Sequence, residues 1–207
     1  MNWKSFFSNK RNRTEFIITV IILIVLMISF SQFLQFVEHR EGVVLSDPIL
    51  KAFNPFDLTW LTFALIYLSL IIFIVTSFNK PDKLLIAFQA YGLMVIFRII
   101  AMYLTPFDAP ETLLQLNDPF VQLFGKGEIL TKDLFFSGHT GTLFLLSLLA
   151  ENKSLKIIFL IFTLTVGTAV LLQHVHYAID VFVAPFFAYG SYKIIKKLHI
   201  KFSKKTQ

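Results

Sequence analysis

Six apolar runs separated by polar connections dominate this sequence of 207 residues. A helix that crosses the hydrocarbon core of a bilayer needs about 20 consecutive, mostly apolar residues. Within lipid the backbone must satisfy its own hydrogen bonds, which restricts spanning segments to helices and closed barrels. We therefore predict an all-α integral membrane protein, one domain over residues 1–207, built as a six-transmembrane-helix bundle with spans at about 16–37, 58–78, 84–104, 134–150, 155–173 and 177–195.

The composition agrees with a membrane protein. Hydrophobic residues make up 56% of the chain, whereas soluble domains are roughly 45–50% apolar. The net charge of +6 is typical of some nucleic-acid-binding proteins, but here the lysines and arginines flank apolar runs, where membrane topology explains them. We expect no nucleic-acid partner. The absence of cysteine excludes disulfides, thiolate catalysis and cysteine metal ligands.

The distribution of positive charge predicts the orientation of the spans. Lys and Arg are enriched in cytoplasmic segments of membrane proteins. If the N-terminus is inside, the outside segments hold four cations, which are Arg40, Lys51, Lys126 and Lys132. The inside segments hold many more: Lys4, Lys10, Arg11, Arg13, Lys80, Lys83, Lys153, Lys156 and the lysines after residue 192. We predict that both termini are cytoplasmic and that the first span is a retained helix and not a cleaved signal.

Two polar motifs open the fourth and sixth runs. The first reads Asp133-Leu134-Phe135-Phe136-Ser137-Gly138-His139-Thr140, and the second reads His174-Val175-His176-Tyr177-Ala178-Ile179-Asp180-Val181. Ionisable groups at membrane depth are costly, so their presence indicates function. The predicted topology places both motifs, and Arg98 near the end of the third run, at the outer ends of their helices, where we expect them to meet.

The residue types of these motifs favour phosphoryl transfer. His176 and Asp180 are four apart, so in a helix the carboxylate would orient the imidazole and raise its basicity. His139 has no carboxylate neighbour in sequence and suits a general acid. Gly138 permits close backbone approach, and helix N-termini together with an arginine such as Arg98 bind phosphate.

These motifs closely resemble the two catalytic motifs of the sphingomyelin synthase family, a branch of the type 2 phosphatidic acid phosphatase (lipid phosphate phosphatase) superfamily. Two further segments are similar to that family: Arg98-Ile99-Ile100-Ala101-Met102-Tyr103-Leu104-Thr105 and, more weakly, Pro55-Phe56-Asp57. The resemblance implies that His176 attacks phosphorus and forms a phospho-histidine, that Asp180 orients it, and that His139 protonates the departing alcohol. It implies no metal and no cofactor.

The resemblance also implies a set of residues around substrate and phosphate: Arg98, Ser137, Gly138, Thr140, Asp133, Tyr103 and Tyr177. Alternatives stay open for several of them. Arg98 would otherwise reach the membrane interface, and Asp133 would otherwise cap the fourth helix. The two tyrosines would otherwise be interfacial aromatics, and we expect His174 to be structural.

The chain departs from the superfamily in one informative way. A Ser-Arg pair typical of the phosphatases is replaced by residues at about Ala169 and Val170, a loss shared with the sphingomyelin synthase branch. Arg98 is the candidate replacement. The extra N-terminal domain of some animal members is missing, so we expect a minimal relative of bacterial type.

The expected activity is cleavage of a phospholipid headgroup at the outer leaflet, with transfer of the phospho-alcohol to ceramide, diacylglycerol or water. The site would face the periplasm, the exterior or an organelle lumen from a plasma or inner membrane. The alternative is a lipid phosphate phosphatase acting on phosphatidic acid or a polyprenyl phosphate, which would need further positive charge from Lys126 or Lys132. A lipid-binding or transport protein without catalysis is the alternative from another class. The sequence does not indicate the oligomeric state.

Overall fold

The computed structural model describes residues 2–116 and 130–204. Within these ranges the chain is helical and contains no β-strand, which confirms the all-α prediction. The α-helices are α1 (Trp3–Ser8), α2 (Lys10–Glu38), α3 (Thr59–Ser77), α4 (Pro81–Leu104), α5 (Gly138–Leu149), α6 (Lys153–Leu172) and α7 (Ala178–Lys204), with a short 3₁₀ turn at Leu50–Ala52.

Five of the helices are long and apolar enough to cross a membrane: α2, α3, α4, α6 and α7. They correspond to five of the six predicted spans. The fourth predicted span, at 134–150, is represented by α5, which has 12 residues and at 1.5 Å per residue is about 18 Å long. A hydrocarbon core of about 30 Å needs more than that, so the six-span count stays a prediction that depends on α5.

The helix starts follow capping rules. Asn9 caps α2, Ser137 caps α5 and Asn152 caps α6, and each side chain accepts a hydrogen bond from a backbone amide in the first turn. α4 begins with Pro81, which is favoured there because its missing N–H is not needed. Because Ser137 starts α5, residues 134–136 lie before that helix and not inside it, contrary to the predicted start at 134.

The short helix α5 lies at the centre of the bundle. It packs closely on α6 and α7, and α4 packs on α7. Met94, Leu143, Phe159, Val166 and Ala184 are among the buried side chains of the shared core. In contrast, α2 leaves most of its isoleucines exposed, as expected for a helix that faces lipid.

Three loop segments cover the end of the bundle where α5 and α7 begin: residues 39–57, 105–116 and 130–137, here called the site-side loops. Val43 and Phe107 form an isolated bridge. Phe56 N donates to Leu172 O (2.8 Å) and Leu114 N donates to Gln173 O (3.1 Å), which ties two of the loops to the end of α6. The loops form a connected layer over the helix ends.

Candidate functional site

The two polar motifs lie side by side. Ser137 N donates a hydrogen bond of 3.1 Å to Asp180 O, which joins the start of α5 to the first turn of α7. The rings of His139 and His176 lie edge-on to each other, with their centroids 6.0 Å apart. Two segments separated by about one helical hairpin in sequence therefore form one site.

His176 and Asp180 form a buried pair. The His176 Nδ1 lies 3.4 Å from the Asp180 Oδ2, and the two side chains are 1% and 0% exposed. The Oδ2 atom also accepts a hydrogen bond of 3.0 Å from Tyr177 N, so Asp180 reaches back to the residue before α7 as in a capping box. His176 precedes the helix, which begins at Ala178. The two side chains are therefore close because the Asp180 side chain points back toward the helix start, and not because both residues lie on one face of a helix.

Two polar atoms of this pair have no hydrogen-bond partner within the part of the chain that the structure describes: His176 Nδ1 and Asp180 Oδ1. Buried polar groups are usually hydrogen-bonded, and exceptions are concentrated at sites with catalytic roles or with water. The site therefore contains buried polar atoms without hydrogen bonds at the place where the sequence predicts the reaction.

His139 is the second residue of α5 and is half-buried. Its ring lies edge-on to Phe63 of α3, with centroids 6.0 Å apart. α3 thus supplies an apolar wall beside the histidine pair. Such a wall lowers the local polarity and strengthens electrostatic interactions inside the site.

Arg98 of α4 packs against the start of α5, and its side chain is buried within the protein (7% of the residue exposed) instead of extending to the surface. Its Nε donates to Phe136 O (2.8 Å) and its Nη2 donates to the Asp133 carboxylate (2.6 Å). A Cβ added to Gly138 would lie 2.5 Å from the Arg98 Nη1. Gly138 is therefore needed for the close approach of the guanidinium, and Asp133 pairs with Arg98 instead of capping α5.

Ser137 and Thr140 bond mainly to each other. The Ser137 Oγ accepts from Thr140 N (3.4 Å) and from the Thr140 Oγ1 (3.2 Å). Both residues are buried. These contacts give the two hydroxyls a local role in starting α5 and in holding His139 at its second position.

The two tyrosines lie in different surroundings from each other. Tyr177 is buried; its hydroxyl donates to Asp108 O (2.9 Å) and accepts from Leu45 N (3.1 Å), so it joins two site-side loops. Tyr103 is 60% exposed and its ring lies 5.9 Å from the Arg40 guanidinium carbon. The contacts of both tyrosines thus lead to loop residues.

The N-terminus of α7 is already occupied, which the sequence did not indicate. Ala178 N donates to the Asp47 Oδ2 (2.6 Å), and Tyr177 N donates to Asp180 as described. We expected these amides to bind phosphate. Asp47 lies in a Ser-Asp-Pro turn, and no signal in the sequence links it with a helix 131 positions away.

His174 is a buried structural residue in the turn between α6 and α7. It has a positive φ of 57°, which few non-glycine residues adopt, and its Nδ1 lies 2.5 Å from the Thr112 Oγ1. Burial lowers the pKa of His174, against a smaller raising effect of Asp47. The neutral ring therefore holds loop 105–116 on the turn.

Of the two lysines considered as further sources of positive charge, Lys132 already has partners and Lys126 lies outside the described residues. The Lys132 Nζ lies 2.5 Å from the Asp108 Oδ1 and donates to Arg40 O, and Lys126 lies outside the described residues. The positions of the missing Ser-Arg pair, Ala169 and Val170, are buried. Within residues 2–116 and 130–204 the structure brings no three His, Asp or Glu side chains into a group suited to a metal ion.

Comparison with known protein families supports the chemistry of this site. Residues 132–197 match the family model of the PAP2 superfamily C-terminal domain. The matched segment contains both polar motifs and supports the type 2 phosphatidic acid phosphatase superfamily, an enzyme of phosphatase type, and a lipid phosphatase or phosphotransferase kind of function. Together with the long apolar helices it supports a multi-pass membrane protein associated with lipid. No curated protein matches significantly.

Proposed function

We propose that this chain is a membrane lipid phosphotransferase of phospholipase C type, similar to the sphingomyelin synthase family. It would cleave a phospholipid headgroup through a phospho-histidine and pass the phospho-alcohol to ceramide, diacylglycerol or water at the outer leaflet. The observation that carries this proposal is the position of His139 beside His176, with the Asp180 carboxylate behind His176.

The geometry supports a defined role for each atom. The His176 Nδ1 faces Asp180, which leaves Nε2 to attack phosphorus. As the N–P bond forms, the bond between phosphorus and the diacylglycerol oxygen breaks, and His139 donates a proton to that oxygen. In the second half, the hydroxyl of the acceptor gives its proton to His139 and attacks phosphorus, which releases His176.

Charge favours a phosphodiester substrate over a phosphomonoester. Arg98 is paired with Asp133, and Lys132 is paired with Asp108. The described site therefore offers little uncompensated positive charge. A phosphodiester carries one negative charge at neutral pH, whereas a phosphomonoester carries nearly two, and the second would be poorly balanced here.

Burial favours a lipid alcohol as the acceptor. His176 and Asp180 are almost completely buried, and a site that excludes water suppresses hydrolysis of a reactive intermediate. The phospho-histidine would then survive until a lipid hydroxyl arrives from the bilayer. On this proposal, hydrolysis of the phospho-histidine by water is slower than transfer of the phospho-alcohol to a lipid.

The test uses purified protein in detergent with phosphatidylcholine, phosphatidylethanolamine, phosphatidylglycerol or phosphatidic acid, with and without ceramide, and mass spectrometry of the products. We expect diacylglycerol from a diester lipid and transfer of its headgroup to ceramide. His176→Ala should abolish this turnover, and His39→Ala, which removes an exposed histidine, should not.

Other products would contradict the proposal in distinct ways. Turnover of phosphatidic acid alone would establish a lipid phosphate phosphatase, the candidate that the superfamily match favours equally. Lipid binding that is unchanged by His176→Ala, with no turnover of any lipid, would establish a binding or transport protein.

A further inference from the structure

The positive charge of Arg98 is opposed by one carboxylate, that of Asp133. The Arg98 Nη2 donates to the Asp133 Oδ1 over 2.6 Å, and the two side chains are 8% and 26% exposed. Within the part of the chain that the structure describes, Asp133 has no other ion-pair partner. Partly buried pairs are screened much less by salt than exposed ones. The carboxylate therefore offsets much of the charge that Arg98 brings to the site.

One nitrogen of the guanidinium stays available beside the histidines. Nε donates to Phe136 O (2.8 Å) and Nη2 donates to Asp133, whereas Nη1 makes no hydrogen bond to any described residue. Nη1 lies against Gly138, the residue before His139, where an added Cβ would be 2.5 Å away. Arg98 can therefore contact a phosphate through Nη1 while Nη2 stays bonded to Asp133.

Glu38, the last residue of α2, fixes the backbone that carries Asp133. Its Oε2 accepts from Thr131 N (2.9 Å) and Lys132 N (3.0 Å), and its Oε1 accepts from the Thr131 Oγ1 (2.6 Å). Both oxygens of one carboxylate thus bind the two residues directly before Asp133. Hydrogen bonds to a carboxylate are roughly twice as strong as those between neutral groups. Asp133 is therefore held on Arg98 and is not free to move away when a substrate arrives.

We propose that Asp133 determines the charge of the substrate that this site accepts, and that Glu38 is a positioning residue for Asp133. The inference rests on the proposed function, because it concerns the phosphate group held at that same site. A phosphodiester carries one negative charge, whereas a phosphomonoester carries nearly two. The fixed Asp133 carboxylate repels the additional negative charge of the monoester. It therefore disfavours phosphatidic acid and other lipid phosphomonoesters.

The first test compares Asp133→Asn with the wild type. The amide oxygen of asparagine can still accept from Arg98, so the variant removes the charge and keeps the contact. Turnover of phosphatidylglycerol, a diester, and of phosphatidic acid, a monoester, is measured in detergent. We expect the ratio of kcat/KM for phosphatidic acid to kcat/KM for phosphatidylglycerol to rise roughly tenfold, the effect of about one charge several ångströms away at a partly polar site.

Glu41→Gln is the matched control. Glu41 is an exposed carboxylate in loop 39–57, so its replacement changes the net charge at the same end of the protein by the same amount. The ratio of the two kcat/KM values should stay unchanged in this variant. An unchanged ratio in Asp133→Asn, or an equal rise in both variants, would overturn the proposal.

Glu38→Gln tests the positioning role. It should raise the ratio in the same direction as Asp133→Asn but by less, because the Asp133 charge remains and only its position is less fixed. Added to Asp133→Asn, it should produce no further rise, since no charge is left to position. A merely structural role would lower the melting temperature and the turnover of both lipids without changing the ratio, and that result would contradict the positioning role.

Binding separates this inference from the proposed function. Dihexanoylphosphatidic acid and dihexanoylphosphatidylglycerol are titrated by calorimetry into protein carrying His176→Ala, which cannot form the phospho-histidine, with and without Asp133→Asn. If the wild type turns over no lipid but Asp133→Asn raises the relative affinity for the monoester, the proposed function fails and this inference stands. Turnover of phosphatidylglycerol with unchanged ratios of affinity and of kcat/KM would show the reverse. Preferential turnover of phosphatidic acid by the wild type would overturn both.

Discussion

Asp180 shows how a single carboxylate links local structure with chemistry. Its Oδ2 caps the start of α7 through Tyr177 N and lies 3.4 Å from the His176 Nδ1. The cap holds the carboxylate in place beside the imidazole, and the proposed function requires that the carboxylate orients the ring. Loss of the charge and loss of the cap should therefore have separable effects.

Asp180→Asn tests the charge alone, because an amide oxygen can still accept from Tyr177 N. We expect the melting temperature to stay close to that of the wild type. Turnover should fall by roughly 10²–10⁴-fold, since a histidine that loses its carboxylate partner loses its preferred tautomer. Steady-state rates with thermal unfolding on the same samples check this, and near-normal turnover would show that other groups orient His176.

Gly138→Ala tests the close approach of Arg98. The new Cβ would overlap the Arg98 Nη1 at 2.5 Å, so the guanidinium must move away from its bonds to Asp133 and Phe136 O. We expect a destabilisation of about 1–3 kcal/mol and a fall in turnover of at least roughly tenfold if Arg98 contacts phosphate.

The matched control is Gly190→Ala in α7, where a Cβ meets nothing within 4 Å. It should stabilise the protein by about 0.5–1 kcal/mol, as Gly→Ala does inside helices, with unchanged turnover. Equal turnover in Gly138→Ala and Gly190→Ala would argue against a role for Arg98 in catalysis.

At the scale of elements, the site-side loops are held on the helix ends by a few buried side chains. Tyr177 joins loop 39–57 to loop 105–116, His174 holds the second loop through Thr112, and Asp47 anchors the first loop to α7. Tyr177, which the motif assigned to substrate, therefore also supports the layer that covers the site.

Tyr177→Phe tests whether that tyrosine is structural. Its removal leaves Leu45 N without its hydroxyl acceptor, so we expect a loss of about 1–3 kcal/mol in the free energy of unfolding. KM measured well below the melting temperature should change little. The control is Tyr103→Phe, which alters an exposed residue and should change stability by less than about 0.5 kcal/mol. A raised KM with unchanged stability in Tyr177→Phe would establish the substrate contact expected from the motif.

At the scale of the whole molecule, the topology depends on the short helix α5. Glu111 and Lys153 are both exposed, and α5 is the one described helix between them. If α5 completes a span, with residues 130–137 filling the remaining depth, these two positions lie on opposite sides of the membrane.

The chain lacks cysteine, so single-cysteine variants report position without background. Glu111→Cys should react with a membrane-impermeant maleimide added outside intact cells, and Lys153→Cys should react only after the cells are opened. Labelling of both positions from one side would contradict the six-span order. Labelling of Lys153→Cys from outside and Glu111→Cys from inside would reverse the predicted orientation.

The length and spacing of apolar runs were enough to predict five spans, because crossing a bilayer is a local requirement that each segment meets by itself. α5 was harder to predict: its apolar run looks like those of the other spans, but the Ser137 cap starts the helix late. Similarly, the i, i+4 spacing predicted that His176 and Asp180 would pair. The pair forms, but through an N-terminal cap of α7, and the spacing alone does not indicate that geometry.

The sequence by itself determined the membrane-helical class, the two polar motifs and the residue types of the candidate site, because these are properties of short segments. Only the tertiary structure decided that Arg98 is buried against Gly138 and Asp133, that Asp47 occupies the start of α7, and that Tyr177 joins loops while Tyr103 is exposed. These contacts join residues between 35 and 132 positions apart. Their partners are chosen by how the helices and loops pack in space, which no local pattern in the chain records.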